Sequence, residues 1–125
     1  MSLETVEREL ETWIRSSFET AYGVPVDYGQ DGFQKSDKWV RATILGGLEV
    51  GLEISGSSFE TSGALECQVF TRKRRDNARI YDQLADALRQ KQINGVLTLD
   101  PQRIVVGARD GWWQTNLSVE WEIET

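Results

Sequence analysis

Acid–base chemistry in this 125-residue chain would have to come from carboxylates, because the sequence holds no histidine and only one cysteine. Asp27, Asp31 and Asp37 lie close together in the sequence and are the candidates for a hydrolase that uses carboxylates and a metal. Their spacing does not match an EF-hand, and the missing histidine excludes Ser-His-Asp and Cys-His systems and imidazole zinc sites. We therefore predict a protein that is not an enzyme and has no catalytic residues, metal or cofactor; the hydrolase stays as an alternative.

Motifs for phosphate binding, disulfide formation and membrane insertion are also missing. Gly46 and Gly47 are not followed by the Lys-Ser/Thr pair that completes a phosphate loop. Cys67 has no second cysteine to pair with, which favours folding in the cytosol. The amino terminus is acidic and lacks a signal-peptide pattern, and no apolar run approaches the ~20 residues of a bilayer span. We expect no membrane partner.

One segment concentrates positive charge in an otherwise acidic chain. Residues 72–79 carry five basic side chains against Asp76, a net +4, whereas the whole chain carries −6, so the remainder carries −10. Nucleic acid or an acidic protein surface would suit this segment. We favour contact between copies of the same chain, with the basic segment against an acidic neighbour. The candidate subunit or neck interface consists of Arg72, Lys73, Arg74, Arg75, Arg79 and Trp112.

Trp112 belongs to this set because it precedes Trp113 at the start of an alternating strand. Neighbouring side chains on a strand point to opposite faces, so one of the two rings faces the core and the other faces outward. An outward tryptophan is a typical anchor for a protein partner.

Two helices that would position these residues are predicted from apolar residues spaced three and four apart. The first runs from Leu3 to Tyr22, with Ser2 as its N-cap and Gly23 as its stop. The second runs from Asp76 or Asn77 to Gln92 and ends near Asn94-Gly95. Its buried stripe is predicted to be Ile80, Tyr81, Leu84, Ala85 and Leu88.

Strands are predicted from alternating apolar and polar residues or, at 96–99 and 103–107, from short hydrophobic runs. They cover residues 24–28, 39–45, 64–71, 96–99, 103–107 and 113–123, with a weaker strand at 48–55. Cys67 points inward as a small apolar residue. The last strand buries one face, which comprises Trp113, Thr115, Leu117, Val119, Trp121 and Ile123.

The order of these elements predicts a single α+β domain over residues 1–125, a mostly antiparallel sheet with two α-helices packed on one face. Residues 46–63 interrupt it as a long flexible loop, well beyond the usual connection of about 4–6 residues. A mobile segment of this kind can become ordered on a partner. The candidate contact residues in it are Leu48, Glu49, Glu53, Phe59 and Glu60.

Several sequence segments, taken in their order along the chain, resemble the tail terminator proteins of long-tailed bacteriophages. They are Pro25 to Tyr28, Trp39 to Leu45, Gly63 to Phe70, Ile80 to Leu88 and Gly111 to Trp121, together with the opening helix. The similarity spans nearly the whole chain. It departs from the pattern at Arg72 to Arg75, where such proteins often carry a small turn.

This resemblance implies a structural virion protein with no reaction and no cofactor. It would be one subunit of a homo-hexameric ring that caps the head-proximal end of the tail tube, stops tube polymerisation and joins the tail to the head. Its partners would be the tail tube protein and the head connector or neck proteins, and DNA would pass through the ring without sequence-specific binding. Assembly would take place in the host cytoplasm.

Two alternatives of other kinds stay open beside the hydrolase. A head–tail connector or head-closure protein would also be a small ring subunit without catalytic residues. A regulator that binds nucleic acid through residues 72–79 would show tight, salt-dependent DNA binding.

Overall fold

The chain folds into a seven-stranded sheet with its helices on one face, and the computed structural model describes residues 2–46 and 62–123. This architecture confirms the predicted α+β class. The predicted loop and the strand at 48–55 fall almost entirely outside the described residues. Neither long helix in the described part has the length and apolar character needed to cross a bilayer.

The first helical region covers the predicted residues, but it is not a regular α-helix throughout. Helix α1 (Leu3–Ile14) is followed by a π-helical turn (Arg15–Glu19) and by the short α2 (Thr20–Tyr22). The Ser2 hydroxyl accepts the Thr5 N–H at 3.2 Å and caps α1, as predicted. In the π turn, the hydroxyls of two consecutive serines donate to the carbonyl of Trp13, and this competition with the helical hydrogen bonds favours a wider turn.

Helix α3 (Arg74–Leu88) begins two or three residues before the predicted start and ends four residues before the predicted end. Gln90 adopts a positive φ of 50°, and its N–H donates to the Leu99 carbonyl, so the chain turns back toward the sheet. The prediction that the helix ends near Asn94-Gly95 is therefore wrong. These two residues form the positive-φ turn of a hairpin, a conformation that Asn-Gly favours.

The sheet has the strand order β1-β2-β3-β7-β5-β4, and β6 pairs with β7 beside β5. All pairings are antiparallel except that of β1 with β2. The strands are β1 (Val26–Asp27), β2 (Lys38–Leu45), β3 (Ser62–Thr71), β4 (Gln92–Ile93), β5 (Val96–Thr98), β6 (Gln102–Arg109) and β7 (Trp112–Ile123).

The core lies between the helices and one face of this sheet. The predicted stripe of α3 is buried, as are the inward residues of β3, Cys67 among them. Burial raises the pKa of the Cys67 thiol to about 12. On β7 the middle of the predicted face is fully buried, whereas Trp113 and Ile123 at its ends are half-buried. The Trp13 indole donates to the Ala87 carbonyl at 2.7 Å and joins α1 to α3.

Candidate interaction surfaces

The predicted basic residues lie exposed at one end of the molecule, where β3 leads into α3. Arg79 forms an ion pair with Asp76 at 2.9 Å, whereas the side chains of Lys73 and Arg75 have no partner among the described residues. Cations at the start of a helix oppose its dipole, at a cost of about 0.3–1 kcal/mol each. For Lys73 and Arg75 no side-chain contact among the described residues offsets this cost, which is consistent with a role in binding an acidic surface.

Trp112 lies on the sheet face opposite the helices, directly beside this basic end. The Arg72 guanidinium stacks over its ring at 3.6 Å from the centroid and donates to the Gly111 carbonyl at 3.1 Å. Trp113 points the other way, and Arg74 lies 5.6 Å from its ring centroid. The structure therefore brings Trp112 and Arg72 together as a single unit, with the ring half-buried rather than free.

Trp112 is part of an aromatic cluster that the sequence analysis missed. The Trp39 and Phe70 rings stack at 4.4 Å, and Trp112 meets them edge-on at 6.3 and 6.5 Å. Phe33 closes the cluster at 5.6 Å from Trp39. The signal that would have found it is the pairing of Trp39 with Phe70 across β2 and β3, which depends on strand register.

Positively charged side chains surround this aromatic cluster on the open face of the sheet, which is the face opposite the helices. Arg41 lies 5.2 Å from the Trp39 centroid and 5.8 Å from that of Phe70, and the Lys35 ammonium lies 5.4 Å from Trp39. Trp39 is only 3% exposed, so the cluster acts as a second, smaller core. Such cation–π contacts stabilise the fold by about 0.5–2 kcal/mol each. They hold the aromatic rings in place and add no reactive group.

A cleft of about 320 Å³ lies on the acidic side of the molecule, between α1 and the edge of β2. Its lining includes Glu7 and Glu11 of α1 and the residues Ala42, Thr43 and Ile44 of β2. Partial burial raises the pKa of Glu11, and the neighbouring Glu7 carboxylate raises it further. The cleft therefore holds unbalanced negative charge beside a strand edge.

Replacing Glu11 by Gln is expected to stabilise the isolated protein at neutral pH. Because the folded state raises the pKa of Glu11 above its ordinary value of 4.5, ionisation costs stability as the pH rises through that folded pKa. At pH 7 we expect Glu11→Gln to raise the Tm by about 1 °C, since the site is largely solvated. At pH 3, where the carboxyl is neutral in both states, the two melting curves should coincide.

Glu4→Gln is the matched control for that measurement. Glu4 is exposed in the first turn of α1, where a negative charge favours the helix dipole, so its neutralisation should lower the Tm or leave it unchanged. A Glu11→Gln protein that melts below wild type at pH 7 would contradict the argument.

The carboxylates proposed for a hydrolase do not lie together as a set of three metal ligands. Asp27 is engaged by Arg41, whose Nε lies 3.8 Å away, and it accepts the Gly29 N–H at 2.8 Å. Among residues 2–46 and 62–123, no cluster of three potential metal ligands occurs, so Asp27, Asp31 and Asp37 do not converge on a metal position. The predicted contact residues Leu48, Glu49, Glu53, Phe59 and Glu60 lie outside the described residues.

Comparisons with known proteins identify likenesses in structure rather than in sequence. No family model and no curated protein matches the chain. One solved chain of 13% identity superposes with a TM-score of 0.67 over 92% of this chain and 96% of its own length. A chain from the virion of a native gene transfer agent particle, 10% identical, superposes with a TM-score of 0.65 over 95% of this chain and 94% of its own.

A third chain comes from the sheath/tube terminator of an extracellular contractile injection system in its extended state. It is 11% identical, with a TM-score of 0.47 over 100% of this chain and 57% of that chain. At identities this low, only the two closer superpositions are informative, and they concern the fold. The chain therefore has the fold of a component of a gene transfer agent virion.

Proposed function

We propose that this chain is a structural, non-enzymatic subunit of a phage-type tail, and that its role is that of a tail terminator. As such it forms a hexameric ring at the head-proximal end of the tail tube, stops tube polymerisation and joins the tail to the head connector. The observation that carries the proposal is the near-complete superposition on a chain of the gene transfer agent virion. Its place in the cell is then the virion, after assembly in the host cytoplasm.

The distribution of charge supports a ring. A ring built from identical subunits needs two different, complementary patches on each subunit, because each interface is head-to-tail. The molecule has an exposed basic end around Arg72 to Arg75 and an acidic cleft around Glu7 and Glu11. In this proposal DNA passes through the ring without sequence-specific contacts.

Electron microscopy of lysates tests the terminator role directly. The phage or particle cluster that carries this gene is induced with the gene intact and with its start codon removed. A terminator predicts overlong tubes without heads when the gene is disrupted, because tube growth is no longer stopped. Supplying the wild-type chain from a plasmid is the control and should restore tails of normal length.

The same images separate the alternatives. Tails of normal length beside unattached heads would identify a head-closure or connector protein instead, and the terminator role would be rejected. Particles of normal form and infectivity would contradict any role in the virion.

A further inference from the structure

Strand β6 presents an unpaired edge on the outside of the sheet. It pairs with β7 only, and all but one of its residues are exposed. Three of them are consecutive, branched and apolar: Ile104 is 57% exposed, Val105 65% and Val106 39%. An edge of this kind is a template for pairing with another strand. No described residue covers it.

The opposite edge of the same sheet is also unpaired over part of its length. Strand β1 pairs only with Val40 and Arg41 of β2. Beyond them, Ala42–Leu45 pair with β3 alone within the described residues, and this edge forms one wall of the acidic cleft. Within residues 2–46 and 62–123, four residues of β2 are therefore available for a further strand.

The two edges match in length. A bulge between Val105 and Gly107 ends the regular part of β6, which leaves Gln102–Val105 as four regularly paired residues. On β2 the free stretch is Ala42–Leu45, ended on one side by β1. In this alignment the bulge falls where β1 begins to cover β2, so residues 106–109 of β6 have to bend away from β1.

The directions and backbone groups also match. In one subunit, β2 and β6 run in opposite directions, because each of the three pairings that connect them is antiparallel. The Val40 N–H donates to the Pro25 carbonyl, so the backbone groups of Ala42 and Ile44 also point to this edge. Backbone groups alternate in the same way along β3, β7 and β6, and the paired residues fix which ones face each neighbour. By this alternation the N–H and C=O groups of Arg103 and Val105 point away from β7.

The side-chain faces bring opposite charges together. Arg103 lies on the helix side of the sheet, with its guanidinium 5.1 Å from the centroid of the Tyr81 ring. Glu7 and Glu11 lie on the helix side of β2. If the helices of both copies lie on the same side of the joined sheet, a β6 strand added to β2 therefore directs Arg103 toward these carboxylates.

We propose that β6 of one copy adds antiparallel to the free edge of β2 in the next copy, with Ile104 opposite Thr43 and Arg103 facing Glu7 and Glu11. The contact is head-to-tail, so repetition closes a ring or grows a filament. The proposal rests on the proposed function, because it supplies the interface that a terminator ring requires. It places Arg103 of β6, rather than the basic end around Arg72 to Arg75, opposite the acidic cleft.

A disulfide trap tests this register. Ile104 and Thr43 are both exposed on the open face of the sheet, so cysteines at these positions are expected to leave the fold intact. Directly opposed residues of antiparallel strands have Cα atoms about 4.5–5.5 Å apart, a separation that a disulfide spans. The Ile104→Cys, Thr43→Cys protein is oxidised both as concentrated purified protein and within particles, and separated on non-reducing gels.

The expected result is a ladder of cross-linked chains that extends to six. The Ile104→Cys, Lys91→Cys protein is the control and should run as a single chain on the gel. Lys91 lies beside Thr98 of β5, away from the β2 edge, so its cysteine cannot reach residue 104 of the next copy. As a second measurement, Arg103→Glu should weaken self-association about tenfold or more, and mixing it with a Glu7→Arg, Glu11→Arg protein should restore association. Arg89→Glu, another exposed arginine, should have little effect.

The absence of cross-links in both preparations would overturn the proposed interface, even if the lysates show overlong tubes and thereby support the terminator role. Conversely, a ladder together with particles unaffected by gene disruption would retain the interface and reject the role in the tail.

Discussion

Replacing Gly63 by alanine is expected to destabilise the protein by about 3 kcal/mol, at the upper end of overpacking effects. A Cβ atom at this position would collide with the backbone carbonyl oxygen of Leu45 and lie 2.6 Å from Cζ2 of Trp121. The carbonyl is held in the β2–β3 ladder and the indole is fully buried, so neither can move without breaking other contacts. Urea denaturation followed by tryptophan fluorescence measures the change.

Gly46→Ala is the matched control for this variant. Its Cβ would lie 3.1 Å from a methyl group of Leu3, an exposed side chain that can rotate away. Both substitutions remove the same glycine freedom from the unfolded chain, so the difference between them reports the collision alone. We expect Gly46→Ala to stay within about 0.5 kcal/mol of wild type. Equal unfolding midpoints for the two variants would contradict the proposed packing of Trp121 on Gly63.

The structural role of Gly63 could not be predicted from the sequence around it. In the sequence it ends a segment rich in glycine and serine that predicts a loop, whereas it belongs to β3 and pairs with Trp121. Its role depends on which residue lies opposite it on β7, four strands later in the chain. Register sets that neighbour, and no local pattern around Gly63 encodes it.

Features determined by local periodicity were predicted correctly. The stripe of α3, the Ser2 cap and the inward orientation of Cys67 follow from spacings within a few residues, and the structure confirms each of them. The end of α3 was placed too late because Asn-Gly is compatible with both a helix stop and a hairpin turn. Here the hairpin forms because β5 can pair with β7.

The candidate surfaces were predicted only in part. The basic residues are exposed as their composition implies, but the cluster of Trp39, Phe70 and Trp112 joins three different strands. The exposure of β6 is also a tertiary property. Its three consecutive branched apolar residues are typical of a buried strand, yet they are exposed in this fold, where β6 pairs with β7 alone.

Asn77→Ala is expected to cost about 2–4 kcal/mol, because Asn77 is a buried polar side chain that joins α3 to the sheet. Its amide donates to the Val69 carbonyl at 3.1 Å and to the Trp113 carbonyl at 2.9 Å, and its oxygen accepts a hydrogen bond from the Thr115 hydroxyl. Asn77 is 5% exposed and Thr115 2%, so truncation leaves the buried Thr115 hydroxyl without its acceptor and removes one hydrogen bond each from the Val69 and Trp113 carbonyls. Urea denaturation measures the loss, with Gln83→Ala on the same helix as the control, expected within about 0.5 kcal/mol of wild type.

A double-mutant cycle with Thr115→Val isolates the hydrogen bond between the two side chains. Thr115→Val leaves the Asn77 oxygen without its donor, and Asn77→Ala leaves the Thr115 hydroxyl without its acceptor, so each single variant suffers a penalty from an unpaired group. In the double variant neither of those groups remains, and the combined loss should be smaller than the sum by about 1 kcal/mol or more. Additive losses would show that the two side chains do not interact in solution. A smaller combined loss would show that α3 is fixed by a buried polar contact and that apolar packing alone does not determine its position over β3 and β7.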